Sequence, residues 1–307
     1  MKFGIIGTGT VGTAIAVRLV EAGYQCLGVE TRSARSYARF RQYLNRDRMP
    51  LESWVPEADL IFITTQDGMI GSAAKNLADR KLYKDGQIWI HCSGSQKAQI
   101  LKEDPALPVK TLSMHPIQTF ADVGEALKLL PGSHFGLEGE AVEEGIQIVW
   151  DLGGIPHRLD PEGKPLYHAG SVMASNYIVA LADMAVQLFN LAGIPKEAAL
   201  ESLIPLMQGT LRNLEKVGLP QALTGPIARG DSEVVRSHLE CIPLELQQAY
   251  RALGRSTLEL AQAKMKLNGK EYPRQDLQIL NYLLDGGKEK NNHGNCRENI
   301  RSKRNYC

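Results

Sequence analysis

The apolar positions fall into two regimes along the chain. Residues 3–6, 25–30, 58–65, 87–93 and 109–115 are short apolar runs bounded by turn residues, and 133–139 and 154–159 repeat the pattern more weakly. Helical segments separate several of these runs, as repeated strand–helix–strand units require. The expected fold class is therefore α/β, a doubly wound and mostly parallel sheet over residues 1–160. After Pro161 the period lengthens to that of helices, at 165–192, 196–217 with an interruption or kink at Pro205, 232–240, 244–267 and 273–284. An all-α domain is expected over 161–285. The polar, basic residues 286–307 carry no apolar period and are expected to form a disordered tail.

The first run opens into GTGTVG, with Gly7, Gly9 and Gly12 between a strand and an amphipathic helix that ends at Gly23. In that setting the first glycine permits a tight turn. The second lets a pyrophosphate reach the backbone, and the third lets helix and strand pack closely. The helix start adds free amides and a positive dipole. Gly7, Thr8, Gly9, Thr10, Val11 and Gly12 are thus the expected cradle of a dinucleotide, which makes the sheet a Rossmann domain. The second strand ends in GVETRSARS, where the adenosine ribose would lie. Glu30 could accept from a ribose hydroxyl, favouring NAD, whereas Arg32, Ser33 and Arg35 could hold a 2′-phosphate through charge-assisted bonds. Two arginines and a serine suit a phosphate better than a sugar, so NADP(H) is the favoured cofactor.

Ligands in such sheets bind beyond the carboxyl ends of the strands, which adds Thr64, Thr65, Ser93, Ser95 and His115. HCSGS at 91–95 is not a GxSxG elbow, and Cys92 reads as a buried small residue rather than a nucleophile. His115, before Pro116, either meets a ligand or caps neighbouring carbonyls. In PLYHAGSVMASN, residues 165–176, offsets of three, seven and eight bring His168, Ser171, Ser175 and Asn176 onto one stripe of a single helix. A polar stripe on an otherwise apolar helix is expected to face a ligand cleft. In LTGPIARGD, Arg229 is a candidate for a substrate carboxylate or an ordinary surface arginine, and Asp231 is the expected cap of the next helix.

Bulk composition narrows the partners. The 307 residues hold 35 basic and 34 acidic side chains, so the summed charge gives no case for nucleic acid or an anionic membrane. A small-molecule substrate is expected. Five scattered cysteines without a CxxC pair argue against a disulfide framework or a zinc site, and no metal is expected. No apolar signal segment follows a basic start, and the apolar stretch 166–193 is interrupted by His168, Asn176, Asp183 and Gln187. It reads as a core helix, and the expected location is the cytoplasm.

GTGTVG, HCSGS, SMHPIQTF, YHAGSVMASNY and LTGPIARGD, in that order, resemble the bacterial Rossmann-like oxidoreductases that carry a C-terminal domain of unknown function. That family is similar in layout to pyrroline-5-carboxylate reductases, 6-phosphogluconate dehydrogenases and ketopantoate reductases, and the likeness covers about residues 1–285. The resemblance implies an NADPH-dependent reductase of a small carboxylate-bearing carbonyl compound. The first candidate is ketopantoate (2-dehydropantoate), reduced to pantoate for pantothenate and coenzyme A. An imine reductase of the pyrroline-5-carboxylate type is the alternative, and a non-catalytic NADP-binding sensor is a third reading. It also implies a homodimer. Ketopantoate reductases carry a lysine eight residues before an asparagine; with that asparagine set on Asn176, His168 stands where the lysine would be. His168 is then the acid that protonates the alkoxide left by hydride transfer. Ser171 and Asn176 assist it, and Ser95, His115, Ser175 and Arg229 bind substrate.

Overall fold

The computed structural model describes residues 1–287. Two compact units divide the chain, one spanning Met1–Tyr177 and the other beginning at Ile178. In the first unit, β1 (Lys2–Ile6), β2 (Gln25–Glu30), β3 (Leu60–Ile63), β4 (Ile88–His91), β5 (Lys110–Pro116), β6 (His134–Gly139) and β7 (Ile155–Arg158) form one sheet in the order β2-β1-β3-β4-β5-β6-β7. The first five strands run parallel; β6 is antiparallel to β5, and β7 runs parallel to β6. Each expected strand is present. Every residue of β3 and β4 is buried, which is why those strands read as unbroken apolar runs rather than alternating ones.

Five helices connect the strands: α1 (Thr10–Glu21), α2 (Ala34–Arg41), α3 (Asp67–Asp79), α4 (Val123–Leu129) and α5 (Val142–Asp151). One face of the sheet packs Phe3, Ile5, Phe62 and Ile90 against Ile15 and Leu19 of α1. The other packs Ile61, Ile63 and Trp89 against Trp54 and against Ile70 and Leu77 of α3. β2 and β3 lie on opposite sides of β1, so chain order reverses there. Such a switch point leaves a crevice beyond the carboxyl ends of the strands.

The chain then enters α6 (Lys164–Ala174), which belongs to the first unit, and α7 (Asn176–Leu191). The single helix expected over 165–192 is therefore corrected to two. Ser175, at φ −127° and ψ −74°, leaves the helical region and separates them. The second unit is helical, as expected. α8 (Lys196–Val217) carries Pro205 inside it and is followed by α9 (Pro226–Arg229), α10 (Ser232–Cys241), α11 (Leu244–Leu267) and α12 (Arg274–Leu284). Ile227, Val235, Leu239, Leu258 and Leu280 form its main core. The tail expected over 286–307 lies outside the described residues apart from Gly286 and Gly287.

The core-helix reading of 166–193 is also corrected. Within α7 the sole buried residue is Val186, whereas Tyr177 is 55% and Val179 71% exposed. Pro161–Leu191 is long and apolar enough to span a membrane by length and composition, and its most apolar window holds no buried residue. Hydropathy identified the helix but not what covers it.

Candidate active site

The glycine loop is built for close approach. Gly7 has φ +103°, and a Cβ there would lie 2.7 Å from the Thr64 carbonyl oxygen. A Cβ on Gly12 would lie 2.2 Å from Thr64 Oγ1, whereas one on Gly9 would only reach ordinary contact with the Thr64 carbonyl oxygen at 4.0 Å. Thr64 itself donates its hydroxyl to the Gly7 carbonyl at 2.6 Å, so this expected ligand-binding residue acts by fixing the loop. Thr13 Oγ1 and Arg39 Nη2 both donate to the Thr8 carbonyl, at 3.3 and 3.2 Å. Two polar atoms remain buried without a partner there, Thr8 Oγ1 and Arg39 Nε. Leaving such groups unsatisfied costs about 1–3 kcal/mol each. A pyrophosphate lying on the amides at the start of α1 would offer acceptors to both, so these residues fit a dinucleotide. Thr10 and Val11 open that helix as expected.

Beyond β2, Ser33 caps α2 by accepting from the Ser36 amide at 3.1 Å, and Arg32 and Arg35 are exposed. Glu30 pairs with Arg48 at 3.3 Å. The carboxylate that would compete with a 2′-phosphate is thus held by a cation.

At the ends of β3 and β4, Asp67 gathers two serines. Ser93 Oγ donates to Asp67 Oδ2 at 2.7 Å and accepts from the amides of Ser95 and Gln96, at 3.2 and 3.1 Å. Its one donor and two acceptor positions are all used, so Ser93 shapes the turn rather than offering a free hydroxyl. Ser95 Oγ also donates to Asp67, at 2.9 Å, but the residue is exposed. Thr65 Oγ1 donates to the Gln66 carbonyl at 3.3 Å. Burial pushes the Cys92 thiol up to about 12, so it is no nucleophile at neutral pH. His91, fully buried, accepts from the Ser93 amide on Nδ1 and donates from Nε2 to the Lys97 carbonyl. Burial, helped by the charge of Lys164, lowers it to about 4.

His115 and His168 meet over Gly94. A Cβ on Gly94 would lie 2.8 Å from His115 Nε2 and 2.8 Å from His168 Nδ1, so glycine alone lets both rings come in. The ring centroids are 6.4 Å apart at 78°. His115 Nδ1 lies 2.6 Å from the Tyr167 hydroxyl, and His168 Nδ1 is buried without a partner. Burial lowers His115 to about 4, with the charges of Lys164 and His168 adding to it.

What sets α6 against the sheet was not legible beforehand. Lys164 is fully buried, and its ammonium donates to Ser113 Oγ on β5 and to Glu138 Oε1 on β6, the latter at 2.9 Å. Burial lowers the lysine while Glu138 opposes that fall. Glu138 also accepts from the Ala98 amide at 2.7 Å. A lysine beside a helix-opening proline normally points to water, and no local signal sets this one apart. Tyr167, Asp67 and Arg39 were missed in the same way, since each gains its place from a partner distant in sequence.

The polar stripe on α6 is corrected in part. Ser171 Oγ donates to the Tyr167 carbonyl at 3.1 Å, and Ser175 Oγ to the Ser171 carbonyl at 2.7 Å, so both hydroxyls fold back on their own helix. Asn176, exposed, opens α7 with its Oδ1 3.0 Å from Ser175 Oγ, sharing that hydroxyl with the Ser171 carbonyl. His168 is the stripe member that joins the strand-end cluster. In the second unit, Arg229 donates to Asp231 Oδ2 through Nε at 2.9 Å and approaches it through Nη2 at 2.8 Å. Asp231 precedes α10 as expected, but its carboxylate makes no capping bond. Arginine competes for it.

Residues 1–116 match the model of a Rossmann-like domain, and 133–257 match a domain of unknown function (DUF2520). No curated protein matches the chain. Among solved structures, a Bacteroides fragilis protein described as an NADP oxidoreductase is similar at 22% identity and a TM-score of 0.65, covering 84% of this chain and 98% of its own. A Thermotoga maritima protein is 24% identical at a TM-score of 0.59, covering 94% and 100%. Pyrroline carboxylate reductase from Plasmodium falciparum, solved with NADP bound, is 14% identical at 0.52, covering 93% and 96%. At these identities the likeness is one of fold.

Proposed function

We propose that the chain is an NADP(H)-dependent oxidoreductase that reduces a small carboxylate-bearing carbonyl compound, with 2-dehydropantoate the first candidate. The observation that carries this reading is the convergence, within one unit, of a glycine loop holding orphaned polar atoms and a histidine pair closed over Gly94. The cofactor, when bound, supplies the hydride. Thr8, Arg39 and the amides opening α1 would hold its pyrophosphate, and Arg32, Ser33 and Arg35 its 2′-phosphate. The Glu30–Arg48 pair removes the repulsion that a free carboxylate would exert on that phosphate. His168 would give its proton to the developing alkoxide, with Ser95 orienting the substrate and His115 standing beside His168 over Gly94. For Arg229 to take a substrate carboxylate, it would exchange Asp231 for it.

A pyrroline-5-carboxylate type imine is the second reading, favoured by the fold likeness to pyrroline carboxylate reductase over 93% of the chain. The exposed apolar side of α7, whose sole charged residue is Asp183, supports a homodimer in which a second copy covers it. The deciding experiment follows NADPH absorbance with 2-dehydropantoate and then pyrroline-5-carboxylate, for the wild type and His168→Ala. Turnover of the first compound that falls about 100-fold or more in the variant is the expected result. Turnover of the imine alone would replace the substrate. Tight NADPH binding without turnover of either would favour the sensor reading.

A further inference from the structure

His168 poses a bookkeeping problem in protons. After an imidazolium gives up its Nε2 proton, the remaining proton sits on Nδ1, and here Nδ1 is buried with no partner. A buried N–H left unpaired is costly, so an acid at this position needs an acceptor facing Nδ1. The nitrogen that converges on the same point beside Gly94 is His115 Nε2. For Nε2 to accept, His115 must be neutral and must carry its own proton on Nδ1. Its neutrality is set by burial and by the Lys164 and His168 charges. Its Nδ1 lies 2.6 Å from the Tyr167 oxygen, which can accept that proton in a hydrogen bond. Burial pushes the Tyr167 phenol up to about 12, so it stays neutral.

We propose that Tyr167 and His115 are positioning residues that fix the tautomer of His168: His115 donates from Nδ1 to the Tyr167 oxygen and offers its Nε2 lone pair to His168 Nδ1–H, which leaves His168 Nε2 to carry the transferable proton. The pair does for His168 what a carboxylate does for the histidine of a hydrolase triad, without adding a charge. Two glycines make room for it. Gly94 admits the two imidazoles, and a Cβ on Gly136 of β6 would lie 2.7 Å from the Tyr167 oxygen.

The inference rests on His168 as the acid of the proposed reduction, yet its test needs neither cofactor nor substrate. Side-chain ¹⁵N NMR of the intact chain at neutral pH, with assignments from His115→Gln and His168→Gln, reads which ring nitrogen is protonated. The expected result is Nδ1–H for both His115 and His168 in the wild type. In Tyr167→Phe, His115 should shift toward Nε2–H, and kcat should fall about 10-fold with KM changed by less than about twofold. Nε2–H on His115 in the wild type would overturn the proposal. So would an unchanged His115 tautomer in a folded Tyr167→Phe variant. Should that variant not fold, the wild-type spectrum alone decides. Absence of turnover alongside the expected tautomers would refute the reductase reading and leave the relay standing.

Discussion

α6 and α7 come from one apolar stretch, and each buries a single residue, of opposite character. α6 begins with a lysine that is fully buried, and α7 presents valine and tyrosine side chains that are more than half exposed. The lysine is tolerated because Ser113 and Glu138 satisfy its ammonium within the sheet. In α7, Val186 packs with Ala185 and Phe189 against Ala199 and Leu203 of α8, whereas Tyr177 and Val179 stay open. Polarity therefore did not decide which side chain of each helix was buried, Lys164 in α6 and Val186 in α7; the presence of a matched partner did.

The largest effect expected from breaking this contrast is at Lys164. Lys164→Met leaves Glu138 as an uncompensated buried charge and should cost about 3–5 kcal/mol of unfolding free energy in urea titration. Lys164→Met with Glu138→Leu should recover most of that loss. If the single variant is as stable as the wild type, the ion pair is not what seats α6.

Acid should attack the same region. His91 and His115 are lowered to about 4, against an unfolded value near 6.5. Between those values the unfolded chain binds more protons than the folded one, so stability falls as pH drops through this window and levels off below about 4. Each histidine contributes a slope of up to about 1.4 kcal/mol per pH unit inside the window. Urea titrations from pH 7 to pH 4 should show the slope, and His91→Gln should flatten part of it.

On the cofactor side, Arg32→Ala with Arg35→Ala should weaken NADPH binding by about 10-fold or more and leave NADH binding nearly unchanged, as read by fluorescence titration. Equal loss for both would mean that the arginines do not read the phosphate. The smallest change in stability is expected at α7. Val179→Asp should alter unfolding by less than about 0.5 kcal/mol if this face is open to water, yet should shift a dimer toward monomer in light scattering. A monomeric wild type would remove the proposed homodimer.

Much of the sheet unit could be read in advance, because buried parallel strands are written as short apolar runs and the glycine loop as a spaced motif. All seven strands stand where the pattern put them, and Gly7 and Gly12 do the steric work expected of them. The candidate site was legible to the extent that it depends on strand ends: His115 and Ser95 were placed by topology alone. His168 was found by helical spacing, but the stripe that suggested it is broken at Ser175. Helical spacing presumes an unbroken helix, and nothing local announced that Ser175 would leave it.

The amino-acid sequence by itself determined the doubly wound sheet, the glycine cradle and the change to helices after Pro161, since each follows from periodicity or from a steric need local in the chain. Tertiary structure alone decided that Lys164 turns inward to Glu138, that Thr64 and Ser93 hold the protein rather than offer free hydroxyls, and that Gly94 lets His115 and His168 converge. Those outcomes depend on partners far away in the chain, 26 and 51 residues in the case of Lys164 and its two acceptors. A side chain's hydrogen-bonding capacity is local, but whether it is spent on the fold or left for a ligand is settled by what folding brings beside it.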